Sequence, residues 1–131
     1  MDTSAFVKLA IPEPETAALL AELSATDRLV ASEILEVEAL RAARRASGEP
    51  GVLAALTQLA GVRLLPLSNE IRRRASGLSP LTLRTLDAIH VATAIDIGPL
   101  LSRIYTYDVR MVASARKAGL RVHAPKGGQV V

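Results

Sequence analysis

Four acids, Asp2, Glu38, Asp87 and Asp108, stand at positions that simple solvent exposure does not explain. On a helical wheel Glu38 falls inside the arc made by Ile34, Leu35, Val37, Ala39 and Ala42, while Glu33 and Glu36 fall on the polar side. A lone carboxylate in an apolar stripe is unfavourable unless it is paired, protonated or metal-bound. Reaching solvent near the helix end, or pairing with Arg45, also fits it. Asp87 opens the helical run Leu86–Ala94. An acid in a first turn complements the helix dipole, yet Val91 and Ala94 share its face and lean it toward the core. Asp108 closes an apolar run and opens a helix, and Asp2 stands at the same kind of junction before Thr3-Ser4-Ala5-Phe6-Val7. Both fit an N-cap, and both fit the ligand position of open parallel sheets, outside the carboxyl ends of strands.

Taken together, the acids point to metal chemistry. Converging carboxylates repel by about 4 kcal/mol per close pair at an effective dielectric of about 20, and a divalent cation removes that cost. The chain has no cysteine, which excludes disulfides, thiolate zinc sites and a cysteine nucleophile. Oxygen-only ligands favour Mg²⁺, or Mn²⁺ in its place, over zinc. Such an ion activates a water and steadies charge on a phosphate. His90, one helical turn from Asp87, fits a packing or capping histidine better than a base.

The elements that must position these acids alternate along the chain. Strand-like runs lie at 28–31, 62–65, 103–107 and 120–124, each short and apolar or β-branched. Helical runs lie at 4–10, 13–24, from Ser32 as N-cap to about 46, and at 50–60, 68–77, 83–97 and 109–118, with Gly119 just past the last. Pro12 and Pro14 punctuate the link between the first two. Strands alternating with helices predict crossover connections and a mostly parallel sheet covered on both faces. With 131 residues, half of them apolar, the chain is expected to form one α/β domain, 1–131, built as three α/β/α layers. One Phe, two Tyr and no Trp make that core aliphatic. No apolar run is long enough to span a membrane and no leader pattern opens the chain, so a cytoplasmic protein is expected. The net charge is +3, and thirteen of the sixteen cations are Arg. Arg matches phosphate geometry, but GC-rich coding gives the same excess, so composition alone decides nothing.

Asp2-Thr3-Ser4-Ala5 with Val7-Lys8, Val37-Glu38, Leu86-Asp87-Ala88-Ile89-His90-Val91-Ala92 and Thr106-Tyr107-Asp108 together resemble the acidic signature of PIN domains. The resemblance is greatest to the VapC-type toxins of bacterial toxin–antitoxin pairs, and it runs the whole length in order. It implies a PIN-like fold, Mg²⁺-dependent endonucleolytic cleavage of RNA, and a catalytic quartet of Asp2, Glu38, Asp87 and Asp108. Asp2 and Asp87 would hold the metal directly. Glu38 and Asp108 would act directly or through bound water, so Asp108 counts with the metal set. Ser4 matches the hydroxyl residue that supports the first Asp, and Thr106 resembles a second supporting hydroxyl. Family members carry two to four apolar residues before the first Asp, forming the central strand; here Met1 alone precedes it, so either the true start lies upstream or that strand is clipped.

The resemblance also implies a cognate antitoxin that blocks the site. It is expected to lay a helix on apolar surface and to place a cationic side chain, an Arg, in the acidic pocket. Leu and Ala in 13–24 and 50–60 exceed what a core of this size needs to hide, which also predicts a homodimer. Arg44, Arg45 and Arg72–Arg74 would then rim an RNA groove. Two other readings fit less well. A PIN-like binding module would keep the quartet but lose catalysis with its first strand. A receiver-like phosphoacceptor needs an acidic pair after the first strand, where this chain has Thr-Ser-Ala, and a Lys ending the last strand, where the only candidate is Lys126 behind Ala124-Pro125.

Overall fold

The computed structural model describes residues 1–23 and 28–126. Along the chain run α1 (Thr3–Ala10), α2 (Thr16–Glu22), β1 (Leu29–Ser32), α3 (Ile34–Leu59), β2 (Val62–Leu65), α4 (Asn69–Ser76), α5 (Thr85–Ile97), β3 (Ile104–Tyr105), α6 (Val109–Lys117) and β4 (Val122–His123). A 3₁₀ turn at Gly98–Leu100 follows α5. Ser24, the expected last residue of the second helix, lies outside the described residues. The runs expected at 33–46 and 50–60 form a single element, α3, broken where Gly48 adopts φ 63° and ψ −148°. That conformation is closed to a side-chain-bearing residue. Just beyond the break Gly51 lies so near the Ala43 carbonyl that a Cβ would stand 2.6 Å from it. A bare Cα there lets the second half of α3 fold back against the first.

β1 pairs with β2 and β3 with β4, and both ladders are parallel. The strands at the second ladder are shorter than expected, so Thr106 and Tyr107 belong to the loop that carries Asp108 rather than to β3. Between the ladders lies the backbone of Met1 and Asp2. The Met1 nitrogen donates to the Val30 carbonyl at 3.0 Å, and the Asp2 N–H donates to the Tyr105 carbonyl at 3.0 Å. Consecutive N–H groups pointing to opposite sides are what a central strand presents to its neighbours. Two residues therefore tie the ladders together. Behind them opens a cavity of about 640 Å³, lined from both ladders by Met1, Leu29, Val30, Arg63, Arg103 and Tyr105.

Successive side chains in a strand face opposite ways, and β3 shows what that does here. Tyr105 packs in a core with Phe6 of α1, Leu19 of α2 and Leu35 and Ala39 of α3, whereas Ile104 packs with Ala94 of α5 and Ala115 of α6. Helices thus cover both faces, and the three-layer arrangement follows. Aliphatic side chains dominate these cores, with Phe6 and Met111 fully buried. Among the described residues no helix is long and apolar enough to cross a membrane.

Candidate active site

Every expected acid sits at the carboxyl end of the strands, on a helix start or just inside one. Asp2 caps α1 and Asp108 caps α6. Glu38 lies in the second turn of α3 and Asp87 in the first turn of α5. Capping and site membership are compatible: the N-cap position holds a carboxylate at a strand end with one oxygen turned to the helix and the other turned away.

Asp2 is the most enclosed of the four, 2 % exposed. Its Oδ1 accepts from the Ala5 N–H at 3.0 Å, Ser4 Oγ donates to both oxygens at 2.8 and 2.9 Å, and Thr106 Oγ1 donates to Oδ2 at 2.6 Å. Burial pushes the Asp2 carboxyl above its ordinary value, outweighing the Thr106 and Ser4 hydroxyls and the Ala5 N–H, which pull it down. The same hydroxyls reach further: Thr106 Oγ1 accepts from the Asp108 N–H at 3.1 Å, and Ser4 Oγ accepts from the Tyr107 N–H at 2.8 Å. Side chains 104 residues apart are thereby locked together.

Glu38 faces α1 and α5. Its Oε1 accepts from Thr3 Oγ1 at 2.8 Å and lies 2.6 Å from His90 Nε2. Burial pushes its carboxyl up, but the His90 and Thr3 contacts outweigh that and hold it below the ordinary range. The partner is His90, not Arg45. Nor is Glu38 at the middle of the buried stripe: Val37 is 62 % exposed, and the buried face runs through Leu35, Ala39 and Ala43. The carboxylate sits at the border of that stripe, where the α1 and α5 ends reach it.

Asp87 and Asp108 share one cation. Arg84, immediately before α5, donates from Nε to Asp87 Oδ2 at 2.9 Å and from a terminal nitrogen to Asp108 Oδ2 at 3.0 Å. Asp108 Oδ1 meanwhile accepts from the Arg110 and Met111 N–H groups at 2.9 and 3.1 Å. The Asp87 and Asp108 hydrogen bonds hold the Arg84 guanidinium above its ordinary pKa.

Thr3, Arg84 and His90 join the site without having been assigned to it. Two of them had a local signal. Arg84 and His90 lie three residues on either side of Asp87, which puts all three along one side of α5. Thr3 had none beyond adjacency to Asp2. His90 is 4 % exposed, and its Nδ1 has no hydrogen-bond partner among the described residues, so the ring is committed to Glu38 through Nε2.

Whether these residues suit a metal is a question of donors and spacing. The donors are carboxylate oxygens, which suits a hard cation such as Mg²⁺. Asp87 and Asp108 already converge on a single positive group, and Asp2 is tied to Asp108 through Thr106. Among the described residues, however, no three His, Cys, Asp or Glu side chains are close enough to enclose an ion. The donor set fits the ion, and closing around it requires the carboxylates to draw in from where Arg84 and the hydroxyls hold them.

The PIN domain family profile matches residues 1–120. The chain is 42% identical over 125 residues to Ribonuclease VapC46 of Mycobacterium tuberculosis (strain ATCC 25618 / H37Rv), covering 95% of both chains. To Ribonuclease VapC47 of Mycobacterium tuberculosis (strain CDC 1551 / Oshkosh) it is 38% identical over 130 residues, again covering 95% of each. Ribonuclease VapC35 of the same strain is 38% identical over 129 residues, with 95% of each covered. No solved structure matches.

Proposed function

We infer the function from one premise, that this chain belongs to the PIN-domain family and within it to the VapC-type ribonucleases: it is the RNA-cleaving toxin of a toxin–antitoxin pair, acting with Mg²⁺ at an acidic quartet. The observation that carries the site assignment is the Thr106 hydroxyl, which donates to Asp2 and accepts from the Asp108 N–H. It draws acids from the two ends of the chain to one place at the carboxyl ends of the strands.

Asp2, Asp87 and Asp108 would hold the ion. When bound, Mg²⁺ or Mn²⁺ supplies water activation and charge neutralisation at the phosphate. The chain's own residues do the rest. Ser4 and Thr106 fix the orientation of the Asp2 carboxylate by donating to it. Glu38, held ionised by His90 and Thr3, would take a proton in the reaction. Along α3, Arg41, Arg44 and Arg45 outline a concave cavity of about 240 Å³. Arg45 lies two turns beyond Glu38, about 10 Å along the axis. A phosphate backbone entering the site would run over these guanidinium groups, whose forked donors suit it.

The partner proposals rest on surface. Leu20 is 55 % exposed, Leu53 65 % and Leu56 44 %, apolar area in the segments expected to carry it. An antitoxin helix would cover part of this area and send an Arg into the acidic pocket; self-association into a homodimer would cover the rest. Purified protein should cleave single-stranded RNA with Mg²⁺ or Mn²⁺ and stop in EDTA. Cleavage that survives EDTA and is lost on changing His90 would instead mean metal-free acid–base chemistry. Sedimentation as a monomer at tens of micromolar would remove the homodimer. Mn²⁺ affinity and cleavage unchanged by saturating antitoxin would remove the pocket-filling mechanism.

A further inference from the structure

The Arg84 guanidinium occupies the place where the proposed metal site concentrates its charge. It spans carboxylates from two different elements, Asp87 in α5 and Asp108 at the head of α6, with one nitrogen on each. Asp108 has divided its oxygens. Oδ1 is committed to the Arg110 and Met111 N–H groups of the α6 start, and Oδ2 is the one turned to Arg84. A divalent ion reaching Asp108 without uncapping α6 must therefore take the oxygen Arg84 holds. Asp87 presents its Oδ2 to the same guanidinium, through Nε at 2.9 Å.

We propose that Arg84 is a built-in counter-cation of the acidic site, competing with the divalent metal for Asp87 and Asp108 and released from them when metal binds. This rests on the metal-site reading given above. The structure makes the exchange easy. The Arg84 side chain is 63 % exposed, so its withdrawal opens no cavity. The Arg84 backbone is extended, φ −63° and ψ 148°, and its carbonyl anchors the first turn of α5 through the Ala88 N–H at 2.9 Å. Rotation of the side chain alone thus frees both carboxylates and leaves the helix start intact. Before metal arrives, the guanidinium cancels the repulsion between Asp87 and Asp108. The metal must displace it, so apparent metal affinity is lower than the carboxylates alone would give. Arginine stays charged at any working pH, which makes the competition constant rather than pH-gated.

The test is direct Mn²⁺ titration of purified protein, followed by calorimetry and by thermal melts with and without Mn²⁺. Arg84→Ala should bind Mn²⁺ about three- to tenfold tighter at low ionic strength, the order expected for losing two solvent-screened ion pairs. Its Mn²⁺-induced rise in melting temperature should exceed that of the unaltered protein. Arg84→Gln, which keeps the side-chain length, should show the same gain and stands in if the alanine variant folds poorly. Arg84→Lys should fall between, because a point charge cannot span both carboxylates. Arg110→Ala removes the same charge from the neighbouring turn without touching either oxygen, and it should gain less. Unchanged or weaker Mn²⁺ binding in Arg84→Ala and Arg84→Gln overturns the inference, as does an equal gain in Arg110→Ala. If the unaltered protein binds Mn²⁺ and Asp108→Asn loses it, the metal site stands and only the role of Arg84 falls. If the folded, unaltered protein binds no Mn²⁺, both fall.

Discussion

The two halves of the acidic site hold negative charge by opposite means. In the inner half, Asp2 is enclosed, and its hydrogen bonds among the described residues come from neutral donors: two hydroxyls and a backbone N–H. Asp87 and Asp108, in the outer half, are partly buried and are met by a full cation that is itself solvent-exposed. Burial favours the neutral carboxyl and outweighs the hydroxyls, the backbone N–H and the charge at His90, and Asp2 accordingly sits above its ordinary pKa. A divalent ion would find the inner carboxylate preorganised but costly to keep ionised, and the outer pair already neutralised and replaceable. Rigidity lies on one side of the site and exchange on the other.

Loss of Asp2 should sharpen that contrast most. Asp2→Asn should reduce RNA cleavage by more than about 100-fold, beyond the cost of losing a residue that merely supports a ligand. In metal-free buffer its thermal stability should be unchanged or higher, since the neutral amide removes a buried charge. A melt showing large destabilisation by Asp2→Asn would break the comparison and make Asp2 chiefly the α1 cap.

Thr106→Val keeps the shape of the side chain and deletes the hydroxyl that serves Asp2 and the Asp108 N–H. Cleavage should fall about 10- to 100-fold, and stability should fall by about 1–3 kcal/mol because a buried acceptor loses its partner. Chemical denaturation alongside a cleavage assay reads both. An effect on stability alone would confine Thr106 to packing.

Titration of the metal-free protein should separate the acids in an unusual order. Asp2 should titrate above the ordinary aspartate value of 3.8 and Glu38 below the ordinary glutamate value of 4.5, and carboxyl-carbon NMR resolves each. The consequences for stability have opposite signs. The penalty for ionised Asp2 disappears as pH falls through its raised folded value. The stabilisation from Glu38, present above 4.5, is lost as pH falls through its depressed one. Finding Asp2 below its ordinary value would mean that the hydroxyls outweigh burial there, and finding Glu38 above its own would mean that burial outweighs the His90 and Thr3 contacts.

The smallest effect is expected in the outer half. Without metal, Arg84→Ala should move the melting temperature by no more than about 2 °C, because solvent-facing ion pairs contribute little. A large drop would make Arg84 a structural clamp rather than an exchangeable cation.

Much of this was legible from local rules. Alternating strand-like and helical runs located ten elements to within a few residues, and Gly119, with φ 84°, ends α6 in the left-handed conformation expected of it. Helix starts revealed where Asp2 and Asp108 would sit, because capping depends only on a few neighbours in sequence. The Asp-Ala-Ile-His run put Asp87 and His90 on one helix for the same reason. Strand lengths at β3 and β4 were overestimated, since a ladder ends where its partner ends and no residue within either strand records that.

What the amino-acid sequence determined by itself is the identity of the acids, their placement at helix starts and the family they indicate, all consequences of residue type and short-range spacing. The tertiary structure alone decided their partners. Glu38 meets His90 across 52 residues rather than Arg45 along its own helix, Thr106 meets Asp2 across 104, and Arg84 reaches Asp108 across 24. It also turned Val37 outward and made the Met1–Asp2 backbone the tie between two parallel ladders. Such contacts depend on how helices seat on the sheet and in what register the strands align. Those are set by packing summed over both faces, and no local stretch of sequence carries that sum.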